Sequence, residues 1–103
     1  MDFEDYQNEA SATAIYNSKM YPITSLMIEA AEVADIFTKP WLRGDDQVID
    51  REHLASELGD VLWNLSMVAY DNNISLEYIA LKNIGKLKDR QNRNAIMGIG
   101  DDR

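Results

Sequence analysis

The sequence predicts an all-α protein, a bundle of four helices in a single domain. Apolar residues recur at spacings of three and four along four stretches of the chain, which is the periodicity of amphipathic helices. No stretch shows the sustained apolar–polar alternation of a strand. With 103 residues, the chain has the length of one domain. Residues 93–103, which contain two glycines and two aspartates, are expected to form an irregular tail.

The first two helices are predicted over residues 2–17 and 22–39. In the first, aromatic and alanine residues recur at helical spacing, and acidic residues occupy the first turn. Pro22 suits the start of the second helix, because proline has no backbone N–H and the N–H groups of the first turn of a helix make no intrahelical bonds. Pro40 predicts that this helix ends at Lys39, since proline disfavours helical backbone at the residue before it.

The third and fourth helices are predicted over residues 50–70 and 76–92. Asp50 is a good N-cap for the third helix, and Ser75 is a good N-cap for the fourth. Between the two helices, an aspartate followed by two asparagines predicts a turn.

Two pairs of acidic residues stand out, Glu29 with Glu32 and Glu57 with Asp60. Residues three apart project from one side of a helix, and both pairs border the apolar stripe of their helix. One such pair alone is usually a solvated surface. If the two pairs face each other, four carboxylates converge, and their repulsion favours a hard cation such as Mg²⁺. Gly59, inside the second pair, costs about 1 kcal/mol in a helix, and close helix approach is one reason to tolerate it.

The fourth helix carries a polar and basic row formed by Asn83, Lys86 and Arg90, which share one face. An amide, an ammonium group and a guanidinium group suit phosphate oxygens. The alternative is that basic residues are simply favoured near the C-terminal end of a helix by its dipole. Opposite four carboxylates, the row would hold the far side of a phosphate chain.

Candidates for contacting a base or sugar are Trp41, Trp63, Asn64 or an N-terminal aromatic residue from either subunit, and their spacing does not rank them. Trp63 lies away from the main apolar stripe of the third helix, on the side of Tyr70, while leucines cover much of the other side. A single chain can hardly cover both surfaces, and large exposed apolar patches usually mark an interface. We therefore expect an obligate dimer, or a tetramer, with Trp63 near a subunit contact.

Composition excludes several classes of function. The formal net charge of −8 disfavours a nucleic-acid polymer as partner, because such partners require a basic surface. The absence of cysteine excludes disulfides and a thiol nucleophile. No apolar run reaches the length of a membrane span, and the acidic N-terminus is unlike a signal peptide. The expectation is a soluble, cytoplasmic protein without a membrane partner.

The acidic pairs and the polar row together resemble the MazG-type nucleoside triphosphate pyrophosphohydrolases. In chain order the matching motifs are Glu29-x-x-Glu32, Glu57-Leu-Gly-Asp60-Val and Asn83-x-x-Lys86-Leu-x-x-Arg90. The closing Gly98-Ile-Gly100-Asp-Asp-Arg103 is similar to the tail of small stand-alone members. Ala31 is a mild departure, since many members have glycine there; it leaves the acidic residues unchanged.

This resemblance implies a helical dimer or dimer of dimers that hydrolyses nucleoside triphosphates to the monophosphate and pyrophosphate. Mg²⁺ is the implied cofactor, with Mn²⁺ as an alternative ion. The implied metal ligands are Glu29, Glu32, Glu57 and Asp60. The implied phosphate contacts are Asn83, Lys86 and Arg90.

The mechanistic hypothesis is attack of water on the α-phosphorus, with a carboxylate accepting the proton of the water. Glu32 is the candidate for that role, because it lies farther from the apolar stripe than Glu29. Two alternatives remain at this stage. One is a di-iron carboxylate bundle, although the chain lacks the E-x-x-H motifs of those sites. The other is a non-catalytic helical interaction module whose acidic residues are merely solvated.

Overall fold

The computed structural model describes residues 1–45, 48–94, 96 and 98, and these residues form four α-helices and no strands. The helices are α1 (Phe3–Ser11), α2 (Met20–Arg43), α3 (Arg51–Asp71) and α4 (Leu76–Asn92). The all-α, four-helix prediction is confirmed. Within the described part of the chain, no helix is long and apolar enough to cross a membrane.

Helix α1 is shorter than predicted, because it ends at Ser11 and not near residue 17. Its start is fixed by a capping box in which Asp2 and Asp5 exchange hydrogen bonds between side chain and backbone. At its end, the backbone N–H and the hydroxyl of Thr13 both donate to the Ala10 carbonyl, at 3.0 and 2.7 Å. These bonds occupy the carbonyl that a continuing helix would use, so the helix stops there.

Helix α2 continues through Pro40 to Arg43, so the predicted end at Lys39 is wrong. Proline removes the hydrogen bond that a backbone N–H at this position would donate, yet the helical backbone continues for one further turn. The end of the helix is closed by Gly44, whose φ of 72° is in the left-handed region. The N–H groups of Gly44 and Asp45 donate to the carbonyls of Trp41 and Pro40, at 3.1 and 3.0 Å.

The predicted starts of α3 and α4 are confirmed. The Asp50 carboxylate accepts hydrogen bonds from the N–H groups of Glu52 and His53. The Ser75 hydroxyl accepts one from the N–H of Tyr78. Both side chains therefore act as N-caps, as their residue types indicate.

Helices α2 and α3 form a long antiparallel pair, and α1 packs against α3 and α4. The side chain of Gln7 connects these elements. Its amide nitrogen donates to the carbonyls of Ser66 (3.4 Å) and Ile74 (3.0 Å), and its oxygen accepts from the N–H of Leu76 (3.3 Å). Helix α4 is thereby held beside α1, and its main packing partner is α1 and not the α2–α3 pair.

An apolar groove of about 650 Å³ remains open between α3 and α4. Leu62 and Leu65 of α3 line it, each 37% exposed, together with Ile79 and Ala80 of α4. The four helices therefore do not close into a compact bundle within one chain.

Candidate metal centre and adjoining cavities

The antiparallel packing of α2 and α3 brings the two acidic pairs together. One carboxylate oxygen from each of Glu29, Glu57 and Asp60 lies within 4.8 Å of the other two. These three residues are referred to below as the acidic centre. The structure therefore assembles three of the four carboxylates that the spacing predicted to converge.

Glu32, the fourth carboxylate, lies at the edge of the acidic centre. Its side chain is exposed and lies close enough to Glu29 and Glu57 to help raise the pKa of both. It faces a cavity of about 570 Å³ on the side of the loop that joins α2 to α3, called here the loop cavity. Lys39 and His53 also line the loop cavity, and sequence reasoning assigned neither of them to a site.

The acidic centre is unfavourable as a set of fully ionised groups. Burial raises the pKa of Glu29, and the charges of Glu32, Asp60 and Glu57 raise it further. The pKa of Glu57 is raised by burial first and then by Glu32 and Asp60, while His53 acts in the opposite direction. Both effects disfavour the charged form of a carboxyl group.

The donor atoms of the acidic centre fit a divalent cation. The Oε2 atoms of Glu29 and Glu57 are buried and have no hydrogen-bond partner among the described residues. Buried polar atoms are nearly always satisfied, so such atoms require an explanation, and binding of a cation would provide one. Carboxylate oxygens are the ligands that hard cations such as Mg²⁺ prefer.

Asn64 lies one helical turn after Asp60 and is buried, with 3% of its surface exposed. It lines a small cavity of about 180 Å³, called here the acidic cavity. The residues around this cavity are Tyr21, Ser25, Glu29, Asp60, Trp63 and Asn64. The structure thus places the predicted substrate-binding residue Asn64 beside two members of the acidic centre.

A cluster of aromatic residues adjoins the acidic cavity. Tyr16 stacks on Tyr21 with ring centroids 5.7 Å apart, and it meets Trp63 edge-on at 6.1 Å. The indole N–H of Trp63 donates to the Thr13 hydroxyl at 2.9 Å, and the Tyr16 hydroxyl donates to the Asp71 carboxylate at 2.7 Å.

These rings border a second cavity of about 530 Å³, called here the aromatic cavity, which shares Tyr21 and Trp63 with the acidic cavity. Sequence reasoning allowed for an N-terminal aromatic residue near the base but did not single out Tyr16, Tyr21 or Thr13. The available signal was the pair of tyrosines flanking an irregular stretch just ahead of the first acidic pair. Trp63 already packs against its own chain here, and its predicted position near a subunit contact stays a prediction.

The polar row of α4 lies elsewhere in this chain. Asn83 and Lys86 line the apolar groove, which shares no residue with the acidic or the loop cavity. Arg90 is buried, with 4% of its surface exposed, and both Lys86 and Arg90 have interaction partners. One chain by itself therefore does not bring this row to the acidic centre.

Two further expectations concern Trp41 and Gly59. Trp41 is 70% exposed, and twelve residues of helix place it about 18 Å along α2 from Glu29. It is therefore remote from the acidic centre of its own chain. Gly59 is exposed, and a Cβ atom added there would meet nothing within 4 Å in the described residues. The expectation that Gly59 permits close packing of helices within the chain is wrong.

The fold and the site together define an all-α protein with a carboxylate centre suited to a divalent cation. The MazG nucleotide pyrophosphohydrolase domain matches residues 20–94, and the chain belongs to this family. The matched segment contains all four acidic residues and the polar row of α4.

The chain is also similar to the Gene 37 protein of Mycobacterium phage L5. The two are 36% identical over 115 aligned positions, and the alignment covers the whole of both chains. No solved structure matches the chain.

Proposed function

We propose that this protein hydrolyses a ribo- or deoxyribonucleoside triphosphate to the monophosphate and pyrophosphate, with Mg²⁺ as cofactor and Mn²⁺ as an alternative ion. The observation that carries the proposal is the convergence of Glu29, Glu57 and Asp60, with two buried and unpartnered oxygens, in a member of the MazG family. The cellular role would be the cleansing or the control of nucleotide pools.

The acidic centre would hold the cation, with Glu32 as the adjoining fourth carboxylate. When bound, the cation supplies charge neutralisation at phosphate oxygens and activation of water. It would also remove the repulsion that raises the pKa of Glu29 and Glu57.

Glu32 would accept a proton from the attacking water. It is exposed and lies outside the three-oxygen group, yet it is close enough to help raise the pKa of Glu29 and Glu57. As the water oxygen bonds to the α-phosphorus, the bond from that phosphorus to the oxygen bridging to the β-phosphorus breaks. Pyrophosphate leaves, and the displaced proton resides on Glu32.

The phosphate contacts proposed for α4 require a second copy of the chain. Asn83 and Lys86 border the apolar groove and not the acidic cavity of their own chain. A two-fold dimer that fills this groove could carry α4 of one copy towards the acidic centre of the other. Arg90 would have to exchange its present partner to join them.

The direct test is a panel of ribo- and deoxyribonucleoside triphosphates incubated with Mg²⁺, with pyrophosphate and monophosphate as the measured products. Equal amounts of both are expected from at least one compound, and chelation of the metal should abolish their release. Glu57→Gln should be inactive. Glu52→Gln, an exposed acidic residue on the same helix, is the matched control and should be active.

Two outcomes would contradict the proposal. Failure to release pyrophosphate from any compound would favour a non-catalytic interaction module. Stoichiometric iron after aerobic purification would favour a di-iron site, which metal analysis and absorption spectroscopy would reveal.

A further inference from the structure

The amide of Asn64 has a fixed orientation. Its nitrogen donates to the backbone carbonyl of Asp60 at 2.8 Å. A carbonyl can only accept a hydrogen bond, so the nitrogen must face Asp60 and the oxygen must face away from it. That Oδ1 atom is buried and has no hydrogen-bond partner.

A comparison with Asn72, the residue that caps the end of α3, shows that this unpaired oxygen is a feature of the site. Asn72 makes the same bond, from its side-chain nitrogen to the carbonyl four residues earlier, also at 2.8 Å. Asn72 is exposed, so water can reach its oxygen, whereas Asn64 is 3% exposed. A buried acceptor beside a cavity calls for a donor from whatever fills that cavity.

We propose that Asn64 Oδ1 accepts a hydrogen bond from the 3′-hydroxyl of the sugar of the nucleotide. This inference rests on the proposed function, and it adds a specificity-determining contact to it. Asn64 follows Asp60 by four residues, which displaces it about 6 Å along α3 from that member of the acidic centre. In a nucleoside triphosphate the group that follows the α-phosphate is the sugar.

The neighbouring cavities support the same orientation of the nucleotide, with its phosphates at the acidic centre and its sugar at Asn64. Beyond Asn64, the acidic cavity adjoins the aromatic cavity, and Tyr21 and Trp63 belong to both. A cavity of about 530 Å³ with aromatic walls suits a nucleotide base. Any of the bases can stack on an aromatic ring. The nucleotide would then extend along the adjoining cavities. Its phosphates would lie at the acidic centre, its sugar at Asn64 and its base among the aromatic rings.

Of the two ring hydroxyls, the 3′ group is the better candidate. It is carried next to C4′, the ring carbon that bears the arm leading to the 5′-phosphates. It is therefore nearer than the 2′-hydroxyl to a residue that lies close to the acidic centre. It is also present in both ribo- and deoxyribonucleotides.

The experiment compares triphosphates that share one base and differ only in the sugar: the 2′-deoxy, 3′-deoxy and 2′,3′-dideoxy compounds. Loss of the 3′-hydroxyl should lower kcat/KM by about 10- to 100-fold in the natural protein, because it leaves a buried acceptor unpaired. Asn64→Ala should abolish this discrimination. Asn72→Ala, which removes the matched exposed amide, should preserve it.

Equal kcat/KM for the 2′-deoxy and dideoxy compounds in the natural protein would overturn the inference while leaving the pyrophosphohydrolase activity intact. A loss that persists undiminished in Asn64→Ala would also overturn it. If Asn64→Ala does not fold, the comparison in the natural protein still decides. Absence of pyrophosphate from every compound would overturn the proposed function as well.

Discussion

The acidic centre is a group of like charges that the packing of two helices forces together. Burial and mutual repulsion both raise the pKa of Glu29 and Glu57, so ionising these groups in the folded chain costs free energy that the unfolded chain does not incur. A cation reverses this effect, because it stabilises the ionised form. The same residues that weaken the metal-free fold should therefore strengthen the metal-bound one.

Glu29→Gln should show this reversal. Without metal at neutral pH, the variant should unfold at the same temperature as the natural protein or at a higher one. The difference should vanish below the ordinary carboxyl pKa of 4.5, because the raised folded-state pKa makes stability fall only as the pH increases beyond that value. Thermal unfolding across pH measures this.

With Mg²⁺ added, the natural protein should gain more stability than Glu29→Gln. The variant should also lose at least about 10- to 100-fold in activity, because mutation of residues that merely support metal ligands already causes a loss of that size. A variant that unfolds without metal would instead indicate a structural role for Glu29.

Glu32→Gln should separate proton transfer from metal binding. Glutamine keeps the size of the side chain but cannot accept the proton, so kcat should fall by about 10²- to 10⁴-fold. Calorimetric titration with Mg²⁺ should give nearly unchanged affinity, because Glu32 lies outside the three-oxygen group. Near-normal turnover with Mg²⁺ bound would show that Glu32 is not the proton acceptor.

Tyr16→Phe should change the response of the protein to alkaline pH. Burial, the hydrogen bond to Asp71 and the charges of Asp71 and Tyr70 raise the pKa of Tyr16 to about 12. The stabilisation from this hydroxyl is fully present below the ordinary pKa of 10.0 and is lost as the pH rises towards 12. The stability difference between the natural protein and Tyr16→Phe should therefore shrink over this interval. A constant difference in denaturant titrations would contradict this assignment.

At the scale of helices, local chemistry predicted the starts better than the ends. Asp50 and Ser75 cap their helices with their own side chains, and such bonds depend on a few neighbouring residues. The end of α1 depends on Thr13, and the end of α2 depends on the capping bonds of Gly44 and Asp45, one turn beyond Pro40. Competition between alternative local bonds decides both cases, and residue type alone does not.

The candidate site was predictable to the extent that it follows from helical periodicity. The three-residue spacing within each acidic pair placed both pairs at the border of an apolar stripe. The structure brings Glu29, Glu57 and Asp60 together at the interface of α2 and α3. The aromatic cavity was not predictable in this way, because Tyr16 lies in an irregular segment whose position depends on tertiary contacts. The position of α4 was also missed, since periodicity identifies an apolar face without naming its partner.

Two glycines offer a matched test of backbone effects. Gly44 has a φ of +72°, and a Cβ atom added there would meet no described residue within 4 Å, so Gly44→Ala should cost about 1 kcal/mol through backbone strain. Gly59 lies in the interior of α3, also with open space, so Gly59→Ala should stabilise the chain by roughly 0.5–1 kcal/mol. Denaturant titration measures both changes. Destabilisation by Gly59→Ala, or loss of assembly, would indicate that another copy of the chain packs there.

For the whole molecule, the open groove between α3 and α4 is the main apolar surface that the chain leaves exposed. The buried apolar residues of the described chain are few and are mostly on α1, the second half of α3 and the start of α4. Leu58, Leu62 and Ile84 remain 37–49% exposed. Exposed apolar surface of this kind is characteristic of an interface, and a second copy is the simplest partner.

Light scattering should therefore find a species of at least twice 11.7 kDa at micromolar concentration. Leu62→Glu places a charge in the apolar groove and should shift the protein to monomers. Leu42→Glu, an equally drastic change at an exposed leucine at the end of α2, should leave assembly unchanged. A stable, active monomer of the natural protein would contradict the dimer.

The irregular segment between α1 and α2 has a consequence for how such a protein can evolve. Residues 13–18 supply most of the wall of the aromatic cavity, and they precede the segment that matches the family, whereas the carboxylates lie within it. Under the proposed function, residues 13–18 would contribute to selection of the base from outside the segment that carries the carboxylates. Substitutions in this short segment would then alter the preference for the base while the carboxylates are retained, which makes it a target for exchange between relatives and for laboratory selection.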